Sequence, residues 1–183
     1  MPLVLEDDLI ESAKRDDFGL ERLIVAVWPE AYRIALGILR DRGLAEDVAQ
    51  DACASIARSL PALTNNSRFA AWAYKIITNH AMTAARRRPR AEALDALGAS
   101  AIESDQSDVL DLQRALAALP LLQRVAMLLH YYAGLTSFEI ADAAGVPAST
   151  IRFHLMLGRR ALRRALAPHD ATHHSKEIVS HVQ

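Results

Sequence analysis

The residues best equipped for chemistry here are arginines and carboxylates, and their spacing serves recognition. Between residues 147 and 167 the bases Arg152, Arg159, Arg160, Arg163 and Arg164 occur with no acid, and between 66 and 91 so do Arg68, Lys75, Arg86, Arg87, Arg88 and Arg90. Acid-free basic runs on a chain of net charge −1 mark two polyanion-facing surfaces, with nucleic acid the obvious polyanion. A solvated helix face would intersperse acids among such bases. Around Phe69, Trp72 and Tyr74 the bases alternate with aromatic rings, a composition that lets unstacked bases lie on rings while cations hold the backbone. Phe69 and Trp72 share an apolar stripe with Ile76 and read as core, which leaves Tyr74 as the stacking candidate. A third cluster, Glu46, Asp47, Gln50 and Asp51, sets an acidic edge along one helix, suited to a protein partner. No Ser-His-Asp set, paired carboxylates or metal-ligand spacing is present, so neither catalysis nor a cofactor is expected.

Those side chains must be carried by helices. Apolar residues recur at helical spacing almost throughout, and no alternating strand pattern is evident. Leu20 to Ile38 reads as one or two helices with Pro29 as an irregularity, residues 41–43 as a turn, and Leu44 to Leu60 as a helix stopped by Pro61. A loop with a capping serine precedes a helix beginning near Arg68. Residues 91–109 are rich in alanine, serine and acid and read as a linker, and Pro120 divides the apolar run that starts at Leu110 into two short helices. The first thirty residues are acidic, where a secretory signal would be basic, and no segment is apolar enough to span a membrane, so a cytoplasmic location is expected. Cys53 is the single cysteine and sits among alanines, as a buried residue would.

The stretch from Thr136 to Leu166 carries the most specific local signal. Thr136 and Glu139 form a capping box, Gly145 supplies a left-handed stop, and Ser149 or the adjacent Ala148 starts a second helix: a helix–turn–helix. In that motif the second helix enters the major groove. Ser149, Thr150, Arg152, Phe153 and Met156 then reach base edges, Arg152 suiting guanine and Phe153 a thymine methyl. Arg159, Arg160, Arg163 and Arg164 repel one another at helical spacing unless phosphates lie opposite.

These stretches together resemble bacterial sigma factors of the extracytoplasmic-function (ECF) group. Ala45-Glu46-Asp47-Val48-Ala49-Gln50-Asp51 is similar to that family's Ala-Glu-Asp-Val-x-Gln-Glu, and Phe69, Trp72, Ile76 and Asn79 meet its Phe-x-x-Trp-x-x-x-Ile-x-x-Asn. The resemblance runs from about Leu20 to Leu166. It implies an all-α chain of two small helical domains joined by a flexible linker: region 2 over residues 1–90, the linker over 91–109, region 4 over 110–167, and a polar tail over 168–183. Glu46, Asp47, Gln50 and Asp51 would bind core RNA polymerase, whose beta and beta-prime subunits the resemblance implies as partners. Asn79 would lie near the pocket for a flipped base of the −10 element, with Lys75, Thr78, Thr83 and Arg86 beside it. Region 4 would hold the −35 duplex of promoter DNA, and an anti-sigma factor, free or membrane-anchored, would mask the chain. Phe153-His154 and Met156-Leu157 depart from the small or basic residues usual in the family, which implies a different −35 sequence or burial against a regulator. The tail histidines His169, His173, His174 and His181 lack a fixed scaffold, and no metal site is expected there. Two other readings stay open: a stand-alone helix–turn–helix regulator dimerising through its first half, and a protein-binding adaptor that keeps the Asp47 edge and tolerates loss of the arginines.

Overall fold

A computed structural model describes Leu3, residues 5–87 and residues 107–167. The described elements are helical: α1 (Asp7–Arg15), α2 (Asp17–Leu39), α3 (Arg42–Ser59), α4 (Phe69–Arg87), α5 (Ser107–Ala117), α6 (Leu121–Tyr131), α7 (Ser137–Ala144) and α8 (Ala148–Ala165), with short 3₁₀ turns at Leu60–Ala62 and Asn66–Arg68. Helices α1 to α4 form the first half and α5 to α8 the second. No described helix is long and apolar enough to cross a membrane.

Local chemistry sets the helix ends. Asp16 caps α2 by accepting the Gly19 N–H at 2.7 Å. At Gly19 a Cβ would lie 2.4 Å from the Ser12 carbonyl carbon, so only glycine lets α1 pack into this corner. The expected turn at residues 41–43 is corrected. The chain reverses one residue earlier, at Arg40 with φ 59°, and Asp41 caps α3 by accepting the Leu44 N–H at 3.0 Å, which draws Arg42 and Gly43 into the helix. Pro29 sits inside a single continuous α2 on its solvent side, where water satisfies the freed carbonyl. The cap ahead of α4 is Asn65, whose side chain accepts the Ser67 N–H, and not a serine. Helix α5 starts at Ser107, inside the stretch expected to be linker; residues 91–106 and the histidine tail lie outside the described residues.

One apolar core runs through both halves. The inner face of α2 (Leu23, Val27, Ala31, Ile34, Ala35 and Ile38) meets Ala45, Ala49, Ala52 and Ile56 of α3 and Ala73 and Ile77 of α4. Small residues along α3 let its axis approach closely. Val125, Leu129, Ile140, Ile151 and Leu155 continue this core into the second half. Cys53 is buried within it, and burial pushes its thiol up to about 11, which keeps it protonated and inert.

Candidate nucleic-acid and polymerase interfaces

Helix α3 buries Ala45, Val48, Ala49, Ala52 and Ile56, which turns Glu46, Asp47, Gln50 and Asp51 outward. All four are exposed, so the acidic edge read from the sequence exists as one surface.

Helix α4 divides the residues expected at the −10 element. Lys75, Asn79, Thr83 and Arg86 follow one another at spacings of four, four and three and share a stripe, along which Asn79, Thr83 and Arg86 are exposed. Tyr74 and Thr78 are corrected: both are fully buried, on the opposite stripe with Ala81. Tyr74 cannot stack on a base from there. Its hydroxyl donates to Glu30 Oε1 at 2.7 Å and accepts the Leu3 N–H at 3.0 Å, while burial and the carboxylate raise its pKa well above the ordinary range. Phe69 is buried and Trp72 half-buried, as their shared stripe with Ile76 required. Lys75 is engaged, its Nζ lying 2.8 Å from both carboxylate oxygens of Asp142 on α7.

The helix–turn–helix takes the expected form. Thr136 Oγ1 accepts the Glu139 N–H at 3.3 Å, and the Glu139 carboxylate accepts the Thr136 N–H at 2.8 Å. These bonds hold the Glu139 pKa below its ordinary value. Gly145 ends α7 at φ 67°. Helix α8 starts at Ala148, after Pro147. Its buried residues are Ile151, Leu155 and Gly158, the last packed so closely that a Cβ there would lie 2.7 Å from Met127 Cγ. Ser149, Arg152, Phe153, Met156, Arg159 and Arg160 are consequently exposed, with Thr150 half-buried at the helix start. The large rings and thioether at positions 153 and 156 stand in solvent amid arginines, an arrangement that combines phosphate attraction with apolar base contact.

The model for sigma-70 region 2 matches residues 23–91, and that for sigma-70, region 4 matches residues 110–162. This chain belongs to the sigma-70 family. It is 27% identical to the RNA polymerase sigma-H factor of Pseudomonas aeruginosa, over 89% of this chain and 94% of that one. To the ECF RNA polymerase sigma-E factor of Escherichia coli it is 26% identical, over 87% and 93%. Among solved structures, it superposes on the sigma factor RpoE of Bartonella quintana, crystallised with the anti-sigma factor NepR. The TM-score is 0.65 at 25% identity, covering 80% of this chain and 95% of that one. The fold is also shared by CnrH in its complex with the cytosolic domain of CnrY, at TM-score 0.63, 19% identity, and 87% and 95% coverage. Region 2 thus comprises the α3 edge and the α4 stripe, and region 4 the helix–turn–helix.

Sequence reading missed the polar centre between the two regions. Glu30 is only 3% exposed, and its Oε2 accepts from Tyr132 Oη at 2.9 Å and from Arg33 Nη1 at 3.0 Å, in addition to the Tyr74 bond at Oε1. A signal was present: Leu23, Val27, Glu30 and Ile34 are spaced four, three and four apart, which puts a carboxylate in an apolar stripe.

Proposed function

We propose that this chain is an alternative sigma factor of the ECF group that binds core RNA polymerase and directs it to a specific set of promoters. The observation that carries this is the separation of surfaces: an exposed acidic edge on α3 and exposed basic stripes on α4 and α8, within a chain matching both sigma-70 regions. Glu46, Asp47, Gln50 and Asp51 are the contact to polymerase through its beta-prime subunit. Asn79, Thr83 and Arg86, joined by Lys75 once it is released from Asp142, take the melted −10 strand, where stacking and phosphate contacts offset the cost of strand separation. Ser149, Thr150, Arg152, Phe153 and Met156 read the −35 duplex while Arg159 and Arg160 hold its phosphates. The chain performs no bond chemistry itself and works in the cytoplasm, where polymerase and promoter DNA are. The relatives crystallised with anti-sigma factors support the same kind of control here, by an anti-sigma factor that is free or membrane-anchored.

Run-off transcription with purified core polymerase on a library of genomic fragments tests this. Transcripts that depend on the protein, share spaced −35 and −10 elements and vanish with Asp47→Arg are expected. Asp47 is exposed, so the substitution leaves the fold intact. Duplex binding to a palindromic site with no transcript would instead favour the stand-alone regulator.

A further inference from the structure

Region 4 is docked on region 2 by specific bonds, and the docking covers residues that the DNA needs. Tyr132, at the end of α6, reaches across to Glu30 in α2, and Asp142 of α7 holds Lys75 of α4. Leu128 of α6 lies against Gly37, where a Cβ would come within 2.8 Å of its Cδ2, so this seam is also closely packed.

Other features of the seam oppose closure. Arg40 of region 2 and Arg124 of region 4 are near enough for one charge to depress the other's basicity. Burial lowers the Arg40 pKa, and burial followed by the Arg40 charge lowers that of Arg124 to about 10. No described acid offsets either charge. Arg40 Nη1 and Arg124 Nε are buried without a hydrogen-bond partner, although Arg124 Nη1 does donate to the Ala117 carbonyl at 2.9 Å. Separating the regions would rehydrate both guanidiniums and remove their repulsion, whereas it breaks the Tyr132–Glu30 and Lys75–Asp142 bonds. Closure is therefore held by a few directional bonds against a built-in repulsion, the balance of a two-state element.

We propose that this chain is autoinhibited by its own region 4: docking of α6 and α7 on α2 and α4 withholds Lys75 from the −10 strand, and polymerase binds only the undocked form. The inference rests on the sigma-factor reading. Because apparent affinity equals intrinsic affinity scaled by the open fraction, weakening the dock strengthens polymerase binding without touching the α3 edge.

Two measurements on the full-length chain test it: the radius of gyration from small-angle X-ray scattering, and titration against core polymerase. Asp142→Lys, at an exposed position, should enlarge the radius of gyration and tighten polymerase binding by roughly threefold. Combined with Tyr132→Phe, the gain should reach roughly tenfold or more. The swapped pair Lys75→Asp with Asp142→Lys should restore the compact radius, and Arg40→Met should shift both readouts the opposite way, toward tighter closure and weaker binding. Wild-type radii and affinities in all these variants, with Asp47→Arg still abolishing binding, would overturn the autoinhibition and leave the sigma reading standing. If no form of the chain binds core polymerase, the sigma reading itself fails and the autoinhibition with it.

Discussion

Tyr74 shows how far a side chain's role depends on what lies across the core from it. Its neighbours in sequence, Trp72 and Lys75, suggest a surface ring for stacking, yet its hydroxyl ends on the buried Glu30 carboxylate. Tyr74→Phe separates the two roles. A stacking ring would survive that change with no loss of stability, because the phenyl group is retained. A buried hydroxyl bonded to a carboxylate is worth about 1.5 to 3 kcal/mol, so urea unfolding should show a loss of that order. Permanganate reactivity of −10 thymines in the polymerase complex should be unchanged. The stripe through Lys75, Asn79, Thr83 and Arg86 was legible because helical spacing alone sets it. The burial of Tyr74 and Thr78 was not, since it depends on α2 and α7 packing from other parts of the chain.

Elements were most legible where their ends carry their own chemistry. The Thr136–Glu139 box and the left-handed Gly145 fix α7 from within ten residues, and both were readable before any tertiary contact was known. The reversal at Arg40 was not, because a non-glycine residue at φ 59° is held there by its surroundings, and the Asp41 cap then favours helix where Asp-Arg-Gly suggests a turn. The capping box also makes a prediction with a sign. Hydrogen bonds from the Thr136 side chain and backbone lower the Glu139 pKa in the folded state, so the unfolded state binds its proton more readily. The contribution is therefore complete above the ordinary value of 4.5 and is lost as pH falls through the lower folded value. Thr136→Ala should cost about 1 kcal/mol at neutral pH. Its difference from wild type should shrink below pH 4.5, as read by thermal unfolding across that range. A difference that stays constant into acid would show that the carboxylate takes no part in the cap.

At the scale of the whole molecule, the charge distribution divides labour while the apolar core joins what the charges divide. Two matched regions and an intervening linker-like composition lead one to expect independent domains, and sequence could not show otherwise. Contacts such as Tyr132–Glu30 link positions 102 residues apart, with no local signature. Yet Val125, Leu129 and Ile140 belong to the same buried cluster as Val27, Ile34 and Ala73. A shared core makes the unfolding of one region expose apolar surface of the other, which couples the two transitions. Calorimetry of the wild-type chain should accordingly give one transition, with its van't Hoff enthalpy close to the calorimetric value. Removing the polar bonds of the seam with Tyr132→Phe and Asp142→Lys leaves each region's own helices in place. That variant should resolve into two transitions, region 4 melting separately from region 2. Two transitions in the wild type would mean that the closed arrangement contributes too little to couple the regions, whereas a single transition in both proteins would assign the coupling to the apolar contacts around Gly37 and Leu128 alone.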